Sequence, residues 1–545
     1  MKKIYALLLA LLMIVSLAAC ESGGETKVTT APDTTASEAT IPMESGTEPA
    51  PTESMPPEKI SVHLERDDWA DDVKAAVNDL VEMYGVNSEG YDPAKPPYAV
   101  FDFDNTCSIF DVEEQLAVYQ LEVMAFAFDP AKLPDVLKTE LGDLAEDRTD
   151  LGYGKGSYQD WIDDITGAYT KLYEKYGPFT PAGLDAEKQK EVQADPQWQE
   201  FATKMRAMYD LVYDAESADV AYPWVLYWFT GMTEDEVHAL ATASHTKYKA
   251  VETSEVTWKT PEEIDKTSKV GAVEYTWTSG TQVPANVVEL WKVLQANGID
   301  VWVCSASATD PIRAAIDVWD MHQYVTGVLA MTNKLEDGKY INAYDYETGY
   351  AWLNQEGKWV KDTANPTKSQ TQGVGKVTAV DNAIYVRYGY GPIAGFMDST
   401  GDFNFCTEYK SLKMVICYNR ASRKVTDGGG LVAAIAMYQR DDLGYKDLAT
   451  ANAAGDTLYV LQGRDENGMR TLRKSNATLR FGKTEELLFR DENNEAQLKY
   501  MKDNKLSTKE YMDMFAKKTG ADDEGNVLGF KYGFLKEYAG YHSHD

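Results

Sequence analysis

Cysteine and histidine, the side chains that most often hold zinc or act as thiol or imidazole catalysts, are scarce in this sequence. Five cysteines and six histidines occur among 545 residues. No two cysteines have the Cys-x-x-Cys spacing of a zinc or redox site, and the histidines form no metal-ligand pattern. We therefore predict buried thiols without a disulfide framework for Cys107, Cys304, Cys406 and Cys417, three of which lie in or beside apolar, strand-like runs.

Basic residues are also in short supply. Lys and Arg number 53 against 87 Asp and Glu, which gives a formal net charge of −34. Such a surface repels nucleic acid and anionic lipid, so we expect no nucleic-acid partner, and an anionic substrate would need cations close to its site. Hydrophobic residues make up 44% of the chain, which is enough for sizeable cores, and the length predicts two or three folded units.

Long apolar runs are missing except at the amino terminus. Lys2 and Lys3 precede an apolar run from Ile4 to about Leu17, which is too short for a lasting membrane span and predicts a secretion signal over residues 1–19. The following Leu17-Ala-Ala-Cys20 resembles the lipobox of bacterial lipoproteins. This resemblance implies a lipid on Cys20 and a protein anchored outside the cytoplasmic membrane.

Residues 20–58 contain almost no large apolar side chain. Thr, Glu, Ala, Pro, Ser and Gly dominate this segment, and such a composition cannot bury enough surface to offset chain entropy. We predict a disordered tether between the lipid site and the folded part of the chain.

An apolar segment that ends in two aspartates, Tyr98–Phe103, is the centre of the remaining sequence. Its composition predicts a buried strand, and Asp102 and Asp104 lie two residues apart at its end. Side chains at this spacing on an extended chain point to the same face, so both carboxylates can reach one substrate group or one hard cation. The alternative is a strand end with solvated acids followed by an Asn-Thr turn.

Residues 111–280 have the periodicity of aromatic-rich helices, and no alternating strand pattern competes with it. Within this segment Trp224 and Trp228 lie four residues apart, on one face of a helix. Such a pair could hold a quaternary ammonium group, although a helical core built from large aromatic side chains is the favoured interpretation. The predicted helices are Val112–Phe128, Tyr158–Tyr176, Gln197–Ala215, Tyr222–Phe229 and Thr233–Lys247.

Two further apolar runs end in polar residues. Ser305 follows the run that begins at Ile299, and Asp398 and Asp402 follow the run that begins at Ile393. In a parallel sheet such strand ends meet at one edge, where α/β proteins bind their ligands. A lysine at a helix start could point into the same place; Lys376, which follows a glycine, is preferred to Lys368.

The segment Asp102-Phe-Asp-Asn-Thr106 resembles the Asp-x-Asp-x-Thr motif of haloacid dehalogenase superfamily phosphatases. Ser305, Lys376 and the Asp398-x-x-x-Asp402 pair resemble the second, third and fourth motifs of that superfamily, in the same order. The resemblance implies an α/β fold, a Rossmann-like parallel sheet core with a large helical cap inserted after the first core strand. The implied organisation is core 59–110, cap 111–280, core 281–422 and a C-terminal extension of the core over 423–545.

The same resemblance implies the chemistry of a phosphoric monoester hydrolase. Asp102 is the expected nucleophile, and Asp104 the group that protonates the leaving oxygen and then deprotonates water. Mg²⁺ is the expected cofactor, because carboxylate oxygens are its preferred ligands. The implied phosphate-binding residues are Ser305, Lys376 and Thr106, and the implied metal site comprises Asp102, Asp104 through its backbone carbonyl, Asp398 and Asp402.

Asp111 lies nine residues after Asp102, where phosphoserine phosphatases carry an acid that binds the substrate amine. The alternative is an ordinary acid at a helix start.

The implied function is Mg²⁺-dependent hydrolysis of a small phosphomonoester through an aspartyl-phosphate, with phosphocholine and phosphoserine as candidate substrates. The alternative is a non-catalytic lipoprotein that binds a solute in the same cleft. Substrate identity, oligomeric state and the role of residues 423–545 stay open.

Overall fold

The computed structural model describes residues 61–421, 428–489, 492–524, 526–527, 529 and 537–545. The predicted signal peptide, the predicted tether and the predicted lipid site at Cys20 lie outside these residues. Within the described ranges no helix is both long and apolar enough to cross a membrane.

The strands and α-helices of the described residues follow the order of the chain. The strands are β1 Tyr98–Phe101, β2 Ser254–Lys259, β3 Glu274–Ser279, β4 Asp300–Ala308, β5 Gly327–Met331, β6 Asn333–Glu336, β7 Lys339–Tyr344, β8 Ala351–Gln355, β9 Lys358–Asp362, β10 Ala394–Met397, β11 Met414–Tyr418, β12 Leu458–Gln462, β13 Arg464–Asp465, β14 Thr471–Leu472, β15 Thr478–Leu479 and β16 Glu486–Leu487. The helices are α1 Asp71–Tyr84, α2 Val112–Val123, α3 Leu133–Leu137, α4 Tyr158–Tyr176, α5 Ala186–Gln193, α6 Pro196–Ala215, α7 Ala218–Leu226, α8 Glu234–Lys249, α9 Glu262–Asp265, α10 Ala285–Ala296, α11 Thr309–Val318, α12 Val374–Val380, α13 Val386–Tyr388, α14 Gly428–Tyr438, α15 Leu448–Ala453, α16 Glu492–Asn504 and α17 Thr508–Tyr511.

The central sheet has eight strands in the order β12-β11-β10-β1-β4-β5-β8-β9. The strands from β12 to β5 run parallel, and β8 and β9 extend the sheet antiparallel. All four residues of β1 are buried, and Phe101 stacks on Phe396 of β10 with ring centroids 3.7 Å apart. The α/β class with a Rossmann-like parallel sheet is confirmed. Because its strands are parallel, their carboxyl ends lie along one edge.

Amphipathic helices cover the sheet as their sequences predict. In α1 the buried side chains Val73, Val77, Leu80 and Val81 recur at helical spacing. The helix α10 ends before Gly298, whose φ of 72° is in the left-handed region. A Cβ atom there would lie 2.2 Å from the Tyr91 hydroxyl, so only glycine fits this turn.

Residues 111–280, called the cap below, are mostly helical but contain one antiparallel hairpin, β2 with β3. The expectation of an all-helical insertion is therefore wrong for residues 254–279. Tyr275 and Trp277 are buried in β3 while Glu274 and Thr276 are exposed, which is the two-residue alternation of a half-buried strand. This alternation covers too few residues to stand out among the longer helical runs around it.

The C-terminal residues complete the main sheet and add a smaller one. β12 forms an edge of the main sheet beside β11, and α14 packs against the same strands. The smaller sheet has the order β14-β13-β15-β16. Two further antiparallel hairpins are present, β6 with β7 and β8 with β9.

Trp224 and Trp228 lie in the hydrophobic core of the cap. Both side chains are fully buried, and their rings pack edge to face with centroids 5.6 Å apart. The Trp224 indole N–H donates to the Leu137 carbonyl at 2.7 Å, whereas the Trp228 indole N–H has no partner among the described residues. The pair therefore lies in the core of the cap, and the cation-cage interpretation is corrected, because two fully buried rings offer no accessible face to a ligand.

We expect Trp224→Phe to destabilise the protein more than Trp228→Phe. Both changes remove similar volume from one core, but only the first leaves a buried acceptor, the Leu137 carbonyl, without its donor. The expected difference in the free energy of unfolding is about 1–3 kcal/mol. Chemical unfolding of both variants measures it, and equal losses would contradict the role of this hydrogen bond.

Candidate active site

The carboxyl ends of neighbouring strands bring the predicted residues together. Asp102 directly follows β1, and Asp398 directly follows β10, its neighbour in the sheet. Ser305 lies in β4, on the other side of β1, where the pairing of β4 with β5 is interrupted between Cys304 and Ala308. All three side chains line a cavity between the sheet edge and the cap.

The buried ammonium of Lys376 bridges two carboxylates at the sheet edge. Its Nζ lies 2.6 Å from Oδ1 of Asp102 and 2.6 Å from Oδ1 of Asp402. Burial alone would lower the pKa of Lys376, but the two carboxylates raise it, so the side chain stays a cation. Lys368, the alternative, is exposed and is not among the described residues that line the cavity.

The carboxylate of Asp102 has a defined partner on each oxygen. Lys376 contacts Oδ1, and the Thr106 hydroxyl donates to Oδ2 at 2.8 Å. Burial and Asp402 raise the pKa of Asp102 to about 6, although Lys376 and Thr106 act in the opposite direction. Thr106 is not among the described residues that line the cavity. The structure places it as a partner of Asp102, and its phosphate-binding role stays a prediction.

Asp104 lies at the junction between core and cap. Its Oδ1 accepts from the Val112 backbone N–H at 2.6 Å, at the start of α2, and its Oδ2 accepts from the Ser307 hydroxyl at 2.5 Å. Burial and the neighbouring Asp111 raise the pKa of Asp104 well above its usual range. A raised pKa lets a carboxyl hold its proton to a higher pH, which suits a general acid.

Asp111 has two places in the structure. It is the N-cap of α2, because its Oδ1 accepts from the backbone N–H groups of Glu113 at 2.8 Å and Glu114 at 2.9 Å. The same side chain also lines the cavity, and burial and Glu114 raise its pKa to about 7. The N-cap role is sufficient to explain an acid at this position. Because the side chain also lines the cavity, it could bind a substrate amine as well.

Oxygen ligands for a metal ion are present. The carboxylates of Asp102, Asp398 and Asp402 each offer an atom within 4.8 Å of the other two. Hard carboxylate oxygens at this spacing fit Mg²⁺. The Oδ2 oxygen of Asp402 also accepts hydrogen bonds from the backbone N–H groups of Asp398 and Ser399, at 3.3 Å each. These contacts orient the carboxylate. Asp104 is not in this cluster, and its backbone carbonyl remains a predicted ligand.

Arg420 is a cavity residue that the sequence reasoning missed. It follows β11 by two positions, and its Nη1 donates to Oδ2 of Asp398 at 2.7 Å. Burial raises the pKa of Asp398 well above its usual range, and Arg420 opposes this shift. Its place just beyond an apolar strand, the same signal that located Ser305 and Asp398, could have indicated it.

The wall of the cavity on the cap side is acidic and aromatic. Glu113 is buried in it, with Oε2 accepting from the Ala308 backbone N–H at 2.6 Å and Oε1 without a hydrogen-bond partner among the described residues. Burial raises the pKa of Glu113 to about 8. The cap residues that line the cavity are Asp111, Glu113, Glu114, Ala117, Tyr209, Tyr222 and Val225.

We expect Glu113→Gln to flatten the pH dependence of stability. The folded protein keeps the Glu113 proton up to a pKa of about 8, whereas the unfolded chain releases it near 4.5, so stability falls as pH rises between these values. An amide does not titrate, so the melting temperature of the variant relative to the original protein should rise with pH over this window. Thermal unfolding across the window measures this difference.

Glu174→Gln is the matched control, because Glu174 lies at an exposed position of α4. If the difference in melting temperature between Glu113→Gln and the original protein did not change with pH, Glu113 would not be the group that titrates. An equal rise in the control variant would lead to the same conclusion.

Comparisons with known proteins bear on the fold alone. No family model and no curated protein matches the chain. A conserved protein of unknown function from Anaerococcus prevotii DSM 20548 is similar in structure, with a TM-score of 0.61 and 24% identity over 78% of this chain and 100% of that one. This likeness shows a shared fold.

Two further solved structures superpose too poorly to carry an argument. One is a protein of unknown function from Bordetella pertussis Tohama I, with a TM-score of 0.27 and 13% identity over 67% of this chain and 97% of that one. The other is cytosolic 5'-nucleotidase IIIB bound to cytidine, with a TM-score of 0.24 and 13% identity over 65% and 82%.

Proposed function

We propose that this protein hydrolyses small phosphomonoesters through an aspartyl-phosphate on Asp102, with bound Mg²⁺. The observation that carries the proposal is one cavity in which Lys376 contacts Asp102 while Asp104, a carboxyl of raised pKa, lies two residues away. A nucleophilic carboxylate beside a general acid is the pair that two-step phosphoryl transfer needs.

In the first step an oxygen of Asp102 bonds to phosphorus and the ester oxygen leaves. Asp104 gives its proton to the departing oxygen, so an alcohol is released and Asp102 carries the phosphoryl group. In the second step water attacks phosphorus and Asp104 takes up its proton. Phosphate leaves, and Asp102 and Asp104 return to their starting states.

Charge at the sheet edge decides whether a phosphoryl group can bind. Lys376 and Ser305 line the cavity and would bind phosphoryl oxygens, and Lys376 also holds Asp102 ionised for attack. Asp102 and Asp398 would ligate Mg²⁺, with Asp402 orienting them; when bound, the metal neutralises charge on the phosphoryl oxygens. The cap excludes water from the cavity while the leaving group departs.

The wall on the cap side favours a leaving group that carries a cation. Asp111, Glu113 and Glu114 supply carboxyl groups, and Tyr209 and Tyr222 supply aromatic surface against which an ammonium group can pack. Phosphoserine, phosphoethanolamine and phosphocholine combine such a cation with a phosphomonoester. The secretion signal and the lipobox resemblance support a location outside the cytoplasmic membrane, with a lipid on Cys20 as anchor.

We expect phosphate release from small phosphomonoesters by residues 58–545 in the presence of Mg²⁺, and loss of this activity with a chelator. A malachite green assay with phosphoserine, phosphoethanolamine, phosphocholine and p-nitrophenyl phosphate measures it. Absence of release from every ester, with tight binding of one of them, would contradict catalysis and favour a solute-binding lipoprotein.

Asp102→Asn should abolish turnover, because an amide cannot form the acyl phosphate. We expect a loss of about four orders of magnitude in kcat with the fold intact. Asp150→Asn, an isosteric change at an exposed position, is the matched control for the substitution itself. Single-turnover phosphate release measures the effect, and activity that persists in Asp102→Asn would remove this residue as the nucleophile.

Asp111→Asn should weaken binding of cation-bearing esters selectively. Asparagine preserves the N-cap of α2, because its side-chain oxygen still accepts from the first-turn N–H groups. We therefore expect KM for phosphoethanolamine to rise by roughly tenfold through the loss of one charge pair in the cavity, while KM for p-nitrophenyl phosphate stays the same. Equal changes for both substrates would show that Asp111 acts only on the helix.

A further inference from the structure

Two buried arginines of the smaller sheet contact the chain segments that join the cap to the core. These segments, called the linkers, are residues 105–111, where the chain enters the cap, and residues 248–282, the last part of the cap, which includes the β2–β3 hairpin and returns to the core. Arg464, at the start of β13, contacts the first linker, and Arg470, just before β14, contacts the second. Arg464 and Arg470 with Glu466 and Gly468 are called the linker clamp below.

Arg464 contacts the residue that follows Asp104. Its Nη1 donates to the Asn105 backbone carbonyl at 3.0 Å and its Nη2 to Oδ1 of the same residue at 3.2 Å. Glu466 forms an ion pair with the same guanidinium, and its Oε1 lies 2.7 Å from Nη2. Asn105 has a φ of 63°, in the left-handed region, so the chain turns sharply at the point that the arginine contacts. The two hydrogen bonds therefore hold this turn and, with it, the position of Asp104.

Arg470 contacts the second linker at several points. Its Nη2 donates to the carbonyls of Val251 at 2.7 Å and Thr281 at 3.3 Å, and its Nη1 donates to the Thr253 hydroxyl at 3.1 Å. Gly280 leaves the room for this guanidinium, because a Cβ atom there would lie 2.2 Å from Nη1. The Thr253 backbone N–H also donates to the Gly468 carbonyl at 2.9 Å. One arginine therefore joins both ends of the 248–282 segment.

The two linkers also pair with each other. The Ile109 backbone N–H donates to the Gln282 carbonyl at 2.7 Å, and the Gln282 backbone N–H donates to the Ile109 carbonyl at 3.3 Å. A rotation of the cap relative to the core must bend the chain on both sides of this bridge. Both sides are bonded to the same small sheet, which is continuous with the edge strand β12 of the core.

We propose that the linker clamp fixes the two linkers to the core and that Arg464 is a positioning residue, which places Asp104 for proton transfer by holding Asn105. The positioning role rests on the proposed hydrolysis, whereas the hold on the linkers does not. Arginine suits both places because its planar fork donates to several acceptors at once and keeps its charge when buried.

The hold on the linkers is tested without any assay of activity. Hydrogen exchange of the full-length chain, followed by mass spectrometry, reports the amides of the first linker. The Cys107 and Ser108 amides donate to the Phe103 carbonyl, and the Ile109 amide donates to the Gln282 carbonyl of the second linker. Arg464→Gln should speed exchange at residues 105–109 by roughly tenfold or more, because two buried bonds from a charged donor are lost. Arg470→Gln should do the same at residues 248–254 and 279–282.

Arg473→Gln is the matched control. This arginine lies in the same small sheet and pairs with Glu486, away from both linkers. Unchanged exchange at the linkers in the Arg464 and Arg470 variants would overturn the clamp. A uniform increase throughout the chain would also overturn it, since these arginines would then only stabilise the fold.

The positioning role is tested with two leaving groups. Phosphoethanolamine releases an alkoxide that needs a proton, whereas p-nitrophenyl phosphate releases a stable phenolate that does not. If Arg464 positions Asp104 as the acid, Arg464→Gln should lower kcat/KM by roughly 100-fold for phosphoethanolamine and by less than about fivefold for p-nitrophenyl phosphate. Arg464→Lys, which retains a charged donor group but lacks the planar fork, should recover part of the loss.

Equal losses on both esters would overturn the positioning role, because a general loss of folded enzyme affects every substrate alike. If the original protein hydrolyses neither ester, the proposed function fails. The exchange measurements then still decide whether the clamp holds the linkers.

Discussion

The contact of the buried Lys376 ammonium with two carboxylates is the interaction on which the rest of the site depends. Asp102, Asp398 and Asp402 lie close together where water screens their repulsion weakly. Lys376 contacts two of them at 2.6 Å, and Arg420 contacts the third at 2.7 Å. Removing one partner of such a buried pair costs about 3–5 kcal/mol. With all groups ionised, three carboxylates and two cations leave a net charge of −1 (−3 + 2), which suits a divalent cation better than it suits a free phosphate.

The order of strands in the parallel sheet explains why residues far apart in the chain share this cavity. The adjacent strands β1, β10, β11 and β12 are followed, at the same edge, by Asp102, Asp398, Arg420 and Arg464 respectively. Each arginine reaches an earlier strand end, Arg420 to Asp398 and Arg464 to Asn105. The C-terminal residues therefore contribute to the geometry of the site through the sheet edge. The cap contacts the same edge at Asp104, which accepts hydrogen bonds from the Val112 backbone N–H and from the Ser307 hydroxyl.

Local patterns predicted those parts of the structure in which short-range chemistry dominates. The buried run before Asp102 and the helices of residues 158–176 and 196–215 were visible because periodicity and apolar runs act over a few positions. The β2–β3 hairpin was missed because its alternation is short and its partner strand is exposed. The Trp224–Trp228 spacing was compatible with a ligand cage as well as with the favoured helical core, because spacing shows which residues share a helix face but not what covers that face.

The sequence by itself determined the α/β class, the polar strand ends and the acid-rich motifs, because each is a property of neighbouring residues. Only the tertiary structure decided which cationic side chains contact those carboxylates and the turn beside them. Lys376 was preferred to Lys368 on a local argument, but Arg420 and Arg464 are close to Asp398 and Asn105 only after the sheet has formed. The raised pKa values of Asp104 and Glu113 likewise arise from burial between core and cap, which no spacing along the chain encodes.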